Sequence, residues 1–362
     1  MRLDFLSPLY DRPGPWAAVY FDTSEHSEST ADKRALEALE VFHRLAGQGA
    51  DEPTCRAVYD ALAEPSAQGA EPPGRALFAM DGEVVLNLPL SRSPGPHRTS
   101  WSVLPHTGPL LECTEEDPSC LIAYIDRRGA DMELRGPAGG RAAGTVRGAQ
   151  WPLRKTPSAD WSERRNAEDI AQALADCQEE SGAELVVLCG STREVRAVRD
   201  RLPARLREHT VESPHGGRSP RSDSRLLEED VERARAEHAR ERTARELDRF
   251  RAARAPQDGR QRAAEGVPAL VDAARRHRIA ELFVQPEGPD VYREVWVGAE
   301  PDQLSVRRTD ALYLGEPHPA PARADDALLR SAVANGAEVV MVPPDATAPD
   351  DAPVGGLGAL LR

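Results

Sequence analysis

Between residues 135 and 165 the chain reads RGPAGGRAAGTVRGAQWPLRKTPSADWSERR, with seven cations, Arg135, Arg141, Arg147, Arg154, Lys155, Arg164 and Arg165, against two carboxylates, Asp160 and Glu163. Arg guanidinium groups can fork onto phosphate oxygens, and glycines at 139, 140 and 148 allow close backbone approach. Trp151 and Trp161 add flat faces on which an unpaired base could stack, although Trp161 can equally pack the base of the segment onto its own domain. The chemistry this pattern offers is the holding of a polyanion. A solvated, mobile loop with no ligand is the competing reading. The whole chain is acidic, with a formal net charge of -14, so attraction would be confined to this segment. As a structureless connector it exceeds the roughly 12 to 15 residues beyond which loops are usually functional or disordered.

Other chemistry is thinly supported. There is no P-loop, HExxH, dinucleotide-binding glycine fingerprint or nucleophile elbow. The nine histidines are dispersed, with only His26 beside Glu25 and His215 before Gly216-Gly217 in suggestive settings. The paired acids Glu115-Glu116 and Asp325-Asp326 read as solvated loops or helix starts. Five cysteines, at 55, 113, 120, 177 and 189, are never spaced C-x-x-C; they read as reduced thiols and give no metal site. Gly190-Ser191-Thr192 follows an apolar run and opens a helix, a place where an anion can sit, or where small polar residues merely cap. No cofactor is indicated.

The elements that must position the basic segment follow from periodicity. With 362 residues the chain is too long for one ordinary core, and the pattern predicts an α/β (α+β) multidomain protein of three α/β units. The first, 1–112, has a strand at Ala17–Asp22, a helix through Leu36, Leu39, Phe42 and Leu45, and a hairpin turning at Asp81-Gly82. Residues 91–118 read as a linker with one strand near Trp101–Leu104. The second unit, 113–255, has a hairpin (121–126, 131–134), the basic loop 135–165, a helix from Asn166, a buried parallel strand at 184–189 and a helix running to about Leu206, giving a mixed sheet. A long charged helix over 224–254 carries a sparse apolar stripe. The third unit, 256–362, reads as an α/β/α sandwich with helices near 266–276 and 325–334, strands at 281–285, 294–297 and 338–342, and a terminal apolar run, LGALL. No run of about 18 apolar residues is present, and the start lacks a basic-then-apolar leader; the expectation is a cytoplasmic protein with no membrane association.

Several stretches together carry a resemblance: the opening PWAAVYFDTSEHSES, the hairpin SCLIAYIDRRGADMEL, WSERRNAEDI at 161–170, the long charged helix and the ending GLGALLR. In unit order and in these stretches the chain resembles the bacterial relatives of archaeal and eukaryotic class-one peptide-chain release factors and Pelota, including actinobacterial members and the Balon-type ribosome-hibernation factors. The resemblance implies a ribosome-facing N-terminal domain, a central domain approaching the peptidyl-transferase centre, and a C-terminal domain resembling RNA-binding ribosomal proteins. It implies rRNA, tRNA and a translation GTPase as candidate partners, and neither DNA nor membrane. The family's Gly-Gly-Gln hydrolysis loop would fall in the basic segment, where Gly139-Gly140 precede Arg141, and Gln150 follows Gly148-Ala149. No residue therefore receives the catalytic role intact. The expectation is a non-catalytic hibernation factor occupying the A site of idle ribosomes and contacting phosphates through the seven cations and Trp151. Two alternatives stand beside it: a ribosome-rescue peptidyl-tRNA hydrolase in which Gln150 positions water, and a stress-associated α/β protein that binds a small ligand or another protein.

Overall fold

The computed structural model describes residues 3–24, 31–64, 72–113, 118–136, 139–148, 157–218, 224–255, 261–344 and 352–362. It is a multidomain α/β protein whose described strands form four sheets. They fall into two compact units, one made of residues 1–115 with 243–362 and the other of 116–242.

In the first unit the strand Trp16–Asp22 lies between Gly74–Met80 and Arg98–Ser102, with Glu83–Leu90 at the edge, all antiparallel. Period-two alternation divides its side chains cleanly. Ala17, Val19 and Phe21 meet the helices Ala31–Gly47 and Glu52–Ala63 through Val41, Leu45, Val58 and Leu62. Trp16, Ala18 and Tyr20 face the other way, into a cluster shared with Leu270, Leu282, Leu328 and Val339. Asp81 and Gly82 take φ of 49° and 78°, the double positive φ of a type I′ turn, as the sequence predicts.

The later part of this unit has the strand order Ala263–Glu265, Leu357–Leu361, Ile279–Val284, Glu338–Met341, with only the last pair parallel. Leu282 and Val284 pack toward helices Val267–Arg275 and Ala324–Ala334, while Phe283 packs on Leu247, Phe250 and Ala253 of the helix Ser224–Arg254. Helices thus cover both faces. A small antiparallel sheet (304–305, 294–297, 320–323) completes the unit.

The second unit holds a mixed sheet ordered Gly139–Arg147, Gly129–Gly136, Cys120–Asp126, Leu185–Cys189, Thr210–Ser213, parallel across its last three strands. Leu121, Ala123, Ile125, Val186 and Leu188 meet Ala167, Ile170 and Leu174 of the helix Pro157–Ser181. Cys120, Ile122, Leu185 and Val187 meet Leu227, Val231 and Ala234 on the long helix, which spans Ser224–Arg254 as its stripe predicts.

Three readings are corrected. Residues 91–118 contain a helix, Gly108–Cys113, whose Leu110 and Leu111 are fully buried; its Gly-Pro start imitates a turn, and tertiary burial decides the matter. The helix expected to reach Leu206 ends at Arg199 and restarts at Ala204, because Pro203 cannot donate within it. The basic loop is largely regular structure: a strand takes 139–147 and a helix begins at Pro157. The glycines and alanines that suggested a loop sit in an edge strand, where one ladder suffices to hold them.

Candidate functional site

The basic segment borders the mixed sheet. Its strand Gly139–Arg147 pairs along one side with Gly129–Gly136, and Leu134 lies opposite Arg141 while Gly129 lies opposite Arg147. Met132 faces Gly144 and Glu133 faces Ala142, so Ala143 is an extra residue, a β-bulge. Ala143, Val146 and Leu134 pack toward the helix Pro157–Ser181. Arg141 therefore projects on the helix-covered face. After the bulge the alternation inverts, and Arg147 projects on the opposite face.

That opposite face is rich in carboxylates already paired. Arg135 donates from Nε to Glu133 at 2.8 Å, from one terminal nitrogen to Glu228, and from the other to the Tyr124 hydroxyl at 3.2 Å. Burial opposes its charge, but the hydrogen bonds to Glu133 and Glu228 prevail and hold its pKa above the usual Arg value. Burial likewise pushes Glu133 up, and hydrogen bonds from Arg135 and Tyr124 bring it below the ordinary carboxylate range. Arg218 donates to Asp131 at 2.7 Å and Asp126 at 3.0 Å, and its hydrogen bond is the main reason Asp131 is lowered despite some burial. Two arginines thus meet four carboxylates, and Arg147 adds a third cation near Asp131.

The helix-covered face differs. Arg141 is exposed, as are Arg164 and Arg165 on the helix, and neither Arg141 nor Arg164 has a carboxylate within ion-pair distance among the described residues. The guanidinium groups of Arg141 and Arg164 can fork onto phosphate. Gly140 and Gly148 serve close approach: a Cβ would meet the Glu133 carboxylate and the Asn166 side chain, each at 2.5 Å. Gly139 begins the strand. Gln150, Trp151, Arg154 and Lys155 lie outside the described residues, as does the Trp161 side chain. The start of the helix Thr192–Arg199 holds a carboxylate of its own, the buried Glu194, 3.6 Å from Arg127; this corrects the anion-cradle reading of Gly190-Ser191-Thr192.

A second polar cluster, in the other unit, escaped the sequence. Asp325 and Asp326, expected to be solvated, are 3% and 1% exposed, because the helix they open is buried from Ala324 through Ala332. Asp326 accepts from His106 Nδ1 at 2.9 Å, and Asp325 accepts a two-pronged contact from Arg323 at 3.0 and 2.6 Å. Burial pushes Asp326 up to about 6, against the pull of His106 and with a further push from Asp325. Burial disfavours charged His106, but Asp326 outweighs it and raises the imidazole. No local pattern pairs His106 with residues more than 200 positions away; the signal was long-range.

The unit with the paired and unpaired arginines coincides with a family match. Residues 119–256 fit the model of bacterial archaeo-eukaryotic release factor family 2. That segment is release-factor-like. Two Mycobacterium tuberculosis relatives, "Uncharacterized protein Rv2629" of strain H37Rv and its counterpart in strain CDC 1551, are each 28% identical across 100% of this chain and 97% of their own. A model of ribosome-bound archaeal Pelota and ABCE1 aligns at 13% identity over 100% of this chain and 95% of that one, with a TM-score of 0.45. Archaeoglobus fulgidus Pelota aligns at 18% identity over 80% and 79%, TM-score 0.39. Saccharomyces cerevisiae Dom34 aligns at 12% identity over 80% and 73%, TM-score 0.41. Among the described residues, no helix is long and apolar enough to cross a membrane.

Proposed function

We propose that this chain is a ribosome-binding translation factor of the hibernation type, which sits in the vacant A site of idle ribosomes in the cytoplasm and touches rRNA or tRNA phosphates through its central unit. One observation carries the reading. In the segment where the resemblance would put Gly-Gly-Gln, Gly139-Gly140 are followed by Arg141, exposed in a strand beside a helix that carries exposed Arg164 and Arg165. A guanidinium binds phosphate; it does not replace an amide that positions water for ester attack. The release-factor family match over 119–256 supports the setting. Arg154, Lys155 and Trp151 belong to the same surface in this proposal. A translation GTPase is a further partner it accommodates.

The test is cosedimentation with purified ribosomes at low salt, joined to a peptide-release assay on stalled complexes. Binding that is lost in Arg141→Glu/Arg164→Glu, with no release of labelled peptide, is the expected result. Failure of the unaltered chain to cosediment would overturn the proposal. Peptide release abolished by Gln150→Ala would replace it with the rescue hydrolase.

A further inference from the structure

We infer that the unit formed by residues 1–115 and 243–362 contains a binding site for a small organic carboxylate, with Arg330 as its anchor. The site is a cavity of about 190 Å³ lined by Leu9, Tyr10, Trp16, Leu104, Val297 and Arg330, among others. It belongs to a different unit from the basic segment and does not depend on the ribosome reading.

Arg330 is 5% exposed. It donates to the main-chain carbonyls of Gly298 at 2.9 Å and Glu300 at 3.2 Å, while its buried Nε has no hydrogen-bond partner. No carboxylate reaches ion-pair distance of it among the described residues. Carbonyl oxygens satisfy N–H groups without cancelling charge, and Glu300 and Asp302 act on it only from beyond ion-pair distance, so the positive charge stands in a low-dielectric wall without a direct anionic partner. Buried charges are ordinarily paired, and an unpaired one is expensive. Burial indeed draws the Arg330 pKa down. An anion entering the cavity would supply the missing partner.

The rest of the lining selects the kind of anion. At the polar end, the Tyr10 hydroxyl shares a hydrogen bond with Thr107 at 3.1 Å, and burial keeps it protonated. Glu316, the acid in the wall, accepts from the backbone N–H groups of Ala299 at 3.1 Å and His318 at 2.9 Å, so its charge is turned toward the main chain. Arg12 is engaged with Glu83 at 3.1 Å. One buried guanidinium in a lining shared with Leu9, Trp16, Leu104 and Val297 suits a monoanion with an apolar body. A phosphate, more strongly hydrated and needing several donors, is poorly served there.

The experiment titrates the full chain with benzoate, followed by calorimetry and by Trp16 fluorescence, with inorganic phosphate in parallel. We expect saturable benzoate binding with a Kd of about 1 mM or tighter, and a change in emission from Trp16. Arg330→Gln should weaken it at least about tenfold. Because Arg330 also holds two carbonyls, a second variant leaves it untouched: Ala320→Phe, which fills the cavity from the position paired with Val297, should abolish binding while the fold melts as before. No benzoate binding by the unaltered chain, or binding unchanged in Ala320→Phe, overturns the site. Phosphate binding as tight as benzoate binding overturns the carboxylate assignment.

Discussion

Replacing arginines on the two faces of the mixed sheet should have opposite kinds of effect. Arg141 and Arg164 are exposed without a carboxylate partner among the described residues, whereas Arg135 is tied to Glu133, Glu228 and Tyr124 with its side chain 18% exposed. Each phosphate contact contributes about 0.7 to 0.9 to the slope of log affinity against log salt. The double variant Arg141→Gln/Arg164→Gln should therefore flatten that slope for ribosome binding by about 1.4 to 1.8. Between about 50 and about 200 mM salt, those two contacts account for roughly 7- to 12-fold of the lost affinity. Arg135→Gln should leave the slope nearly unchanged and instead destabilise the fold by about 1–3 kcal/mol, since Glu133 and Glu228 lose their shared cation. The assay is ribosome cosedimentation across a salt series, with melting temperature measured on the same preparations. Equal slope changes for the double variant and for Arg135→Gln, or none for either, would refute the division of labour between the faces.

Three further outcomes follow from the geometry. Gly148→Ala drives a methyl into the buried Asn166 side chain, 2.5 Å from the new Cβ, and should cost about 1–3 kcal/mol in denaturant unfolding. Phe283→Ala removes a fully buried ring packed 4.8 Å from that of Phe250 and should cost about 3–5 kcal/mol by the same measurement. His106 and Asp326 are both raised in the folded protein, so the stability they contribute is complete below their unfolded values and is lost as pH rises through the folded ones. Melting temperature should fall from about pH 5 to about pH 8, and Asp326→Asn should flatten that fall; a parallel curve for the variant would count against the pair.

Sequence patterning reached the elements whose causes are local. Asp81-Gly82 turns its hairpin by residue chemistry alone, and Leu227, Val231, Leu247 and Phe250 mark the buried side of the long helix. It failed where distant packing overrides local composition. Leu110 and Leu111 become a buried helix behind a Gly-Pro start, and Asp325-Asp326 look solvated until His106 and Arg323 arrive from elsewhere. Of the candidate site, the sequence shows the concentration of arginine but not its apportionment. Arg135 and Arg141 look equivalent in the linear chain; Glu228, 93 positions away, makes them different.

The bulge at Ala143 lets the edge strand hold one residue more than its neighbour without moving the charges on either side of it. Deleting that one residue would restore strict alternation and leave Arg141 and Arg147 five positions apart, still on opposite faces. In a lineage of such proteins, a three-nucleotide insertion or deletion at this point would change the length of the edge strand while both cationic surfaces kept their aim.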